Sequence, residues 1–150
     1  LSSTFWHNRR MHADPRGPGD LEAALANLSE PVTLVFFTQT FGCETCLPAR
    51  QVVARVASLS DYISVEEVNL VLDTDQVERY GIKRAPAIAI VGKADSGIRF
   101  YGIPEGHELV SLVDSILLVA SGDSALSDES RAAIAAVEEP VDIQVFVTPT

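Results

Sequence analysis

Basic side chains are scarce in this sequence, with 11 lysines and arginines against 21 aspartates and glutamates and a formal net charge of -10. A chain of that charge repels polyanions, which argues against nucleic acid and against anionic membranes as partners. Long apolar runs are missing too. No stretch reaches the ~18 residues of a membrane span, and the longest candidate, Leu109 to Ala120, is interrupted by Ser111, Asp114 and Ser115. The first twenty residues (LSSTFWHNRRMHADPRGPGD) carry charge and turn formers where a secretory signal would have its apolar core. Cysteine is scarcest, with two in 150 residues. In a chain that reads as cytoplasmic, so few suggest catalysis more than scaffolding.

What is present is enough for a core, since 47% of the residues are hydrophobic and the length suits one domain. The two cysteines stand in a C-x-x-C pair, Cys43 and Cys46, inside Thr38–Leu47 (TQTFGCETCL). Ahead of them Val32–Thr38 (VTLVFFT) is rich in β-branched and aromatic residues. Behind them Ala49–Leu59 (ARQVVARVASL) returns apolar residues at helical spacing. The pair is therefore expected at a strand-to-helix turn, as a reversible disulfide. Free N–H groups and the dipole at a helix start favour a thiolate, lowering a cysteine pKa from about 8.5 to somewhere between ~3.5 and ~7.5. Two intervening residues bring the second sulfur, one turn on, within reach of the first, so it can resolve a mixed disulfide. The other readings are an inert staple or a zinc half-site. Tetrahedral zinc takes about four ligands, and the remaining candidates are His7, His12 and His107. No metal and no cofactor is expected.

Along the chain, residues 1–19 read as an N-terminal extension, with Phe5 and Trp6 able to pack back and Asp14–Gly19 as a turn-rich boundary. Asp20 is expected to cap a helix over Leu21–Leu28 that Pro31 ends. Ile63–Asn69 (ISVEEVN) reads as a half-exposed edge strand. A short helix opens at Asp73 or Thr74 and runs to Tyr80, with Gly81 as its stop. Pro86 begins an apolar strand to Val91, and Gly92–Gly97 turns into Ile98–Tyr101 as an antiparallel hairpin. Pro104–Ala120 gives the longest helical pattern, followed by Gly122. The order is that of an α/β unit with a mixed sheet over residues 20–122. Residues 132–141 then repeat the pattern of 23–32 at an offset of 109, and Val145–Thr150 that of Val35–Thr40 at an offset of 110. A helix, a proline and a strand thus occur twice, which reads as duplication. Residues 123–150 are expected to be the truncated start of a second unit, with a helix over Asp128–Val137 and a strand over 141–147 that pairs with an open sheet edge, its own or a second copy's.

The stretches VFFTQTFGCETC, RYGIKRAPAIAI, GIRFYGIPEGHELVSLV and PVDIQVFVTPT together resemble the glutaredoxin-like protein disulfide oxidoreductases built from two tandem thioredoxin-fold units. More distantly they resemble the thioredoxin-like N-terminal domain of the flavoprotein subunit of alkyl hydroperoxide reductase. The resemblance covers residues 21–150. It implies a thioredoxin fold (β-α-β-α-β-β-α, a mixed four-stranded sheet flanked by helices) with an extra C-terminal helix and strand. It also implies a thiol-disulfide exchanger in which Cys43 attacks and Cys46 resolves, and a cis Ala85–Pro86 bond beside the cysteines that offers the Ala85 backbone to an extended substrate chain. Phe41, Glu44 and Thr45 are the expected tuning or substrate-contacting neighbours. Departures from the family pattern matter as well. Neither W-C-G-P-C nor C-P-Y-C is present; Glu44-Thr45 stands between the cysteines, and an acidic neighbour disfavours the thiolate and points toward a reductant. No acid lies in the first strand to take the proton of Cys46.

Three functions compete on this reading. One is a cytoplasmic oxidoreductase reducing or exchanging protein disulfides in cell redox homeostasis, fed by a flavoprotein of the thioredoxin-reductase kind. Another is an electron relay between a flavoprotein reductase and a peroxidase. The third is a redox-inert docking module. A homodimer through the C-terminal strand is the expected assembly.

Overall fold

A computed structural model describes residues 18–147. Its elements run α1 (Pro18–Ala26), β1 (Val32–Thr38), α2 (Cys46–Ala57), β2 (Ile63–Asn69), α3 (Thr74–Tyr80), β3 (Ala87–Val91), β4 (Asp95–Tyr101), α4 (His107–Ser121) and α5 (Asp128–Ala135). The strands form one sheet in the order β2-β1-β3-β4. β1 and β2 are parallel, which requires the helical crossover that α2 supplies, while β3 returns antiparallel to β1 and pairs with β4 as a hairpin.

The apolar run Leu34–Phe37 at the centre of β1 is explained by its place between two neighbours and two covering layers. Leu34 and Phe36 point to one face, where α1, α2 and α4 contribute Leu25, Val53, Leu112 and Ile116. Val35 and Phe37 point to the other, against Val68, Tyr80 and Ile82. The ring of Phe37 meets that of Tyr80 edge-on at 5.6 Å. β3 divides the same way. Its isoleucines, Ile88 and Ile90, fill the larger cluster, and Ala87 and Ala89 leave room for the two rings on the smaller one. β2 buries Ile63 and Val68 and exposes the residues between, as an edge strand bearing Glu66 and Glu67 does.

The expected α3 and its stop are found as read, with Gly81 at a left-handed φ of 65° that no side chain adopts cheaply. Asp20 differs from its expected role. α1 begins at Pro18, so Asp20 lies in the first turn, where its charge still favours the helix N-terminus. Phe5 and Trp6 lie outside the described residues. The helix expected from Asp128 is α5, ending at Ala135. Ser127 Oγ caps it by accepting from the Ser130 N–H at 3.2 Å, and Arg131 pairs with Asp123 at 2.5 Å. The expected strand over 141–147 is not formed: these residues join no ladder, and Ile143 is 84% exposed. Alternation makes a segment fit to pair but does not supply a partner, and α5 buries no residue that would tie it to the sheet.

Candidate active site

β1 delivers the chain to the site, and the loop from Gln39 to Thr45 turns it into α2. The Gln39 side chain pins the loop by donating to the Phe41 carbonyl at 2.9 Å, and Gly42, at φ 73°, makes the reversal just before Cys43. Pro48 sits in the first turn of α2, where its missing N–H costs nothing. Cys43 and Cys46 are joined in a disulfide with Cα atoms 5.4 Å apart. The two sulfurs are not equivalent. Cys46, the first residue of α2, is 5% exposed, whereas Cys43 precedes the helix and is half-buried.

The neighbours named from sequence fall around the pair. Thr45 Oγ1 lies 3.9 Å from Cys43 Sγ and does not cap the helix, Glu44 is exposed, and Phe41 is 86% exposed. The Ala85–Pro86 bond is cis. Since Phe37 pairs with Ala87 in antiparallel register, Pro86 comes opposite the end of β1, beside Thr38. Among the described residues, Ala85 makes no backbone hydrogen bond.

A cleft of about 500 Å³ opens next to the disulfide, lined by both cysteines with Thr38, Arg50, Glu67 and Asp73. These polar residues were not singled out from sequence. Arg50 is four residues past Cys46 on α2, so it leans back over the cysteine, and its Nη2 meets Glu67 Oε1 at 2.6 Å. Asp73 accepts from the Asn69 N–H at 2.7 Å. The i+4 spacing from Cys46 was a usable signal for Arg50. Glu67 had none, because its approach depends on the β1–β2 register, in which it lies opposite Phe36. Among the described residues, no group of three or more His, Cys, Asp or Glu is placed to hold a metal, and no helix is long and apolar enough to cross a membrane.

A C-x-x-C disulfide where a central strand feeds a helix, on a mixed sheet of this order, makes the class a thiol-disulfide oxidoreductase of thioredoxin fold. No protein-family model matches the chain. A probable thioredoxin of Methanothermobacter thermautotrophicus is 33% identical over 73 residues, covering 48% of this chain and 81% of that one. The chain belongs to the thioredoxin family. Among solved structures, an N-terminal N/C domain of alkylhydroperoxide reductase AhpF from Enterococcus faecalis superposes with a TM-score of 0.73 at 28% identity, over 81% of this chain and 59% of that one. A protein disulfide oxidoreductase from Aeropyrum pernix does so with a TM-score of 0.70 at 25% identity, over 79% and 52%. This chain therefore spans little more than half of either solved chain.

Proposed function

We propose that the protein reduces or exchanges disulfides in protein clients, with Cys43 as the attacking sulfur and Cys46 as the resolving one. The observation that carries this is the unequal exposure of the two sulfurs: Cys43 stands toward the open cleft, and Cys46 is closed into the helix start behind it. In the reduced protein the Cys43 thiolate attacks one sulfur of a client disulfide. The client's other sulfur leaves as a thiolate and takes a proton. Cys46 then gives up its proton and attacks Cys43 Sγ, which re-forms the observed bond and releases the second client thiol. The electron pair passes from the dithiol to the client, and no cofactor takes part. Phe41 and Leu47, both exposed beside the pair, offer apolar contact to a client segment, the backbone of Ala85, which bonds to no backbone group among the described residues, offers it hydrogen bonds, and Thr45 and Glu44 tune Cys43.

A glutaredoxin-like role in cytoplasmic redox homeostasis, with a thioredoxin-reductase-like flavoprotein as electron donor, belongs to the same proposal. The repeat of residues 23–32 in 132–141 supports assigning the segment after Gly122 to a second unit of the same pattern. Similarity to the alkylhydroperoxide reductase domain favours a second reading, a relay between a flavoprotein and a peroxidase. Insulin-disulfide reduction driven by dithiothreitol tests the first reading. Cys43→Ser should abolish it, and Cys46→Ser should accumulate a mixed disulfide with the client. Trapping through Cys46 in the Cys43→Ser protein would reverse the roles, and turnover that appears only with a flavoprotein and a peroxidase would favour the relay.

A further inference from the structure

Five of the eight basic side chains in the described residues, Arg50, Arg55, Lys93, Arg99 and Arg131, lie within 4.0 Å of a carboxylate. The three without such a partner among the described residues are Arg79, Lys83 and Arg84. Arg79 lies in the last turn of α3, over the Tyr80 ring and near enough to Asp95 to act on it, while Lys83 and Arg84 fall in the segment that leads from α3 to Pro86, in a protein whose net charge is -10. An isolated exposed lysine would mean nothing, but Lys83 and Arg84 are adjacent and the chain is anchored on both sides of them. Ile82 is buried on one side of Lys83-Arg84 and Pro86 on the other, so the backbone between them is fixed. The Arg84 guanidinium lies 4.8 Å from the centroid of the Tyr101 ring, which orients it without neutralising it. Tyr101 pairs with Ala87, and Ala87 with Phe37, so the two cations stand at the end of the sheet where Thr38 and the cysteines line the cleft.

We propose that Lys83 and Arg84 form a charge-selecting rim at this site, which favours polypeptide clients carrying Asp or Glu beside the disulfide to be reduced. The inference rests on the disulfide-reductase reading above. Much of the described surface is acidic, Glu44 and Asp73 beside the cysteines included, so among the described residues Lys83 and Arg84 mark the side from which an acidic segment is drawn toward Cys43. Electrostatic complementarity of this kind sets orientation and encounter rate more than tightness. Two exposed charge contacts at the upper end of their ordinary strength amount to a preference of about tenfold in kcat/KM.

The test uses two disulfide-bonded peptides, identical except for glutamates or lysines flanking the cysteines, with 2-hydroxyethyl disulfide as an uncharged third substrate. At low salt the wild-type protein should prefer the acidic peptide about tenfold, and the preference should vanish near 1 M salt, where the screening length is about 3 Å. Lys83→Gln/Arg84→Gln should bring the ratio of the two peptides close to unity, and Lys83→Glu/Arg84→Glu should invert it. Each ratio is taken within one protein, so a partly unfolded variant does not distort it, and the glutamine pair suffices if the glutamate pair fails to fold. Equal handling of the peptides by wild type, a preference for the basic one, or a ratio unmoved by the glutamine pair would each overturn the rim while leaving the reductase reading intact. Failure of wild type on all three substrates would sink both.

Discussion

Glu44 stands between the two cysteines, exposed, and in the function proposed above it acts on Cys43 through charge. A carboxylate so close disfavours the thiolate and so destabilises the reduced form. Glu44→Gln should therefore make the pair more oxidising, by about 20 mV or less given the weakness of exposed charge interactions. Redox titration against a glutathione buffer measures the shift, and a potential that stays put or falls would show that Glu44 has no hold on the site. The residues of the pair and its immediate neighbours were legible in sequence because they are contiguous. Arg50 and Glu67 were not, since a helix residue and an edge-strand residue 17 positions apart meet only once the parallel register of β1 and β2 is set.

Among the elements, the β3–β4 hairpin and α4 depend on close approach at Gly92. A Cβ there would come within 2.8 Å of Val119 Cγ1 and 3.3 Å of the Val119 carbonyl oxygen, and a valine in a helix has little rotamer freedom with which to withdraw. Gly92→Ala should cost about 1–3 kcal/mol, read as a lower midpoint in urea. Adding Val119→Ala should relieve the crowding at the methyl; two independent, additive losses would count against the packing account. β4 is fastened to α3 by Arg99. It grips Asp95 with two hydrogen bonds of 2.8 and 2.6 Å, donates to the Tyr80 carbonyl at 3.1 Å and stacks on the Tyr80 ring. The Arg99 hydrogen bond holds the Asp95 carboxyl below its ordinary value, against an opposing effect of burial. A folded-state pKa depressed in this way contributes stability above the unfolded value of about 3.9, and that contribution is lost as the pH falls through the lower folded value. The Tm gap between wild type and Asp95→Asn should then be flat from pH 7 to 5 and close below pH 4. A gap that widens on acidification would give the sign the lie. Strands such as β1 were readable to the residue because burial on both faces demands an unbroken apolar run. The segment 141–147 was misread because a strand belongs to two segments at once, and periodicity describes only one.

At the scale of the molecule, charge and exposed apolar surface pull in opposite directions. The net charge of -10 keeps copies apart, while Val141, Ile143, Val145 and Phe146 present apolar side chains to water beyond α5. Association through this segment should rise with concentration and with salt, which screens the repulsion but not the apolar contact. Sedimentation of the chain beside a version ending at Gly122 measures it, and two species that remain monomeric at high concentration and high salt would refute it. The central place of β1 bears on the chemistry from another side. Hydrogen-bonded to a neighbour along each edge and covered on both faces, its amide protons can exchange with solvent only when the whole sheet opens. Cys46, 5% exposed as the first residue of α2 and lining the cleft, is shielded by the helix start alone, and the partner that reaches it in turnover is Cys43 in the loop just before it. A bulky maleimide should thus label Cys43 of the reduced protein at once and Cys46 only as the loop and helix start open, well before the amides of β1 exchange, so that the resolving sulfur becomes a clock for local opening of the site apart from the sheet.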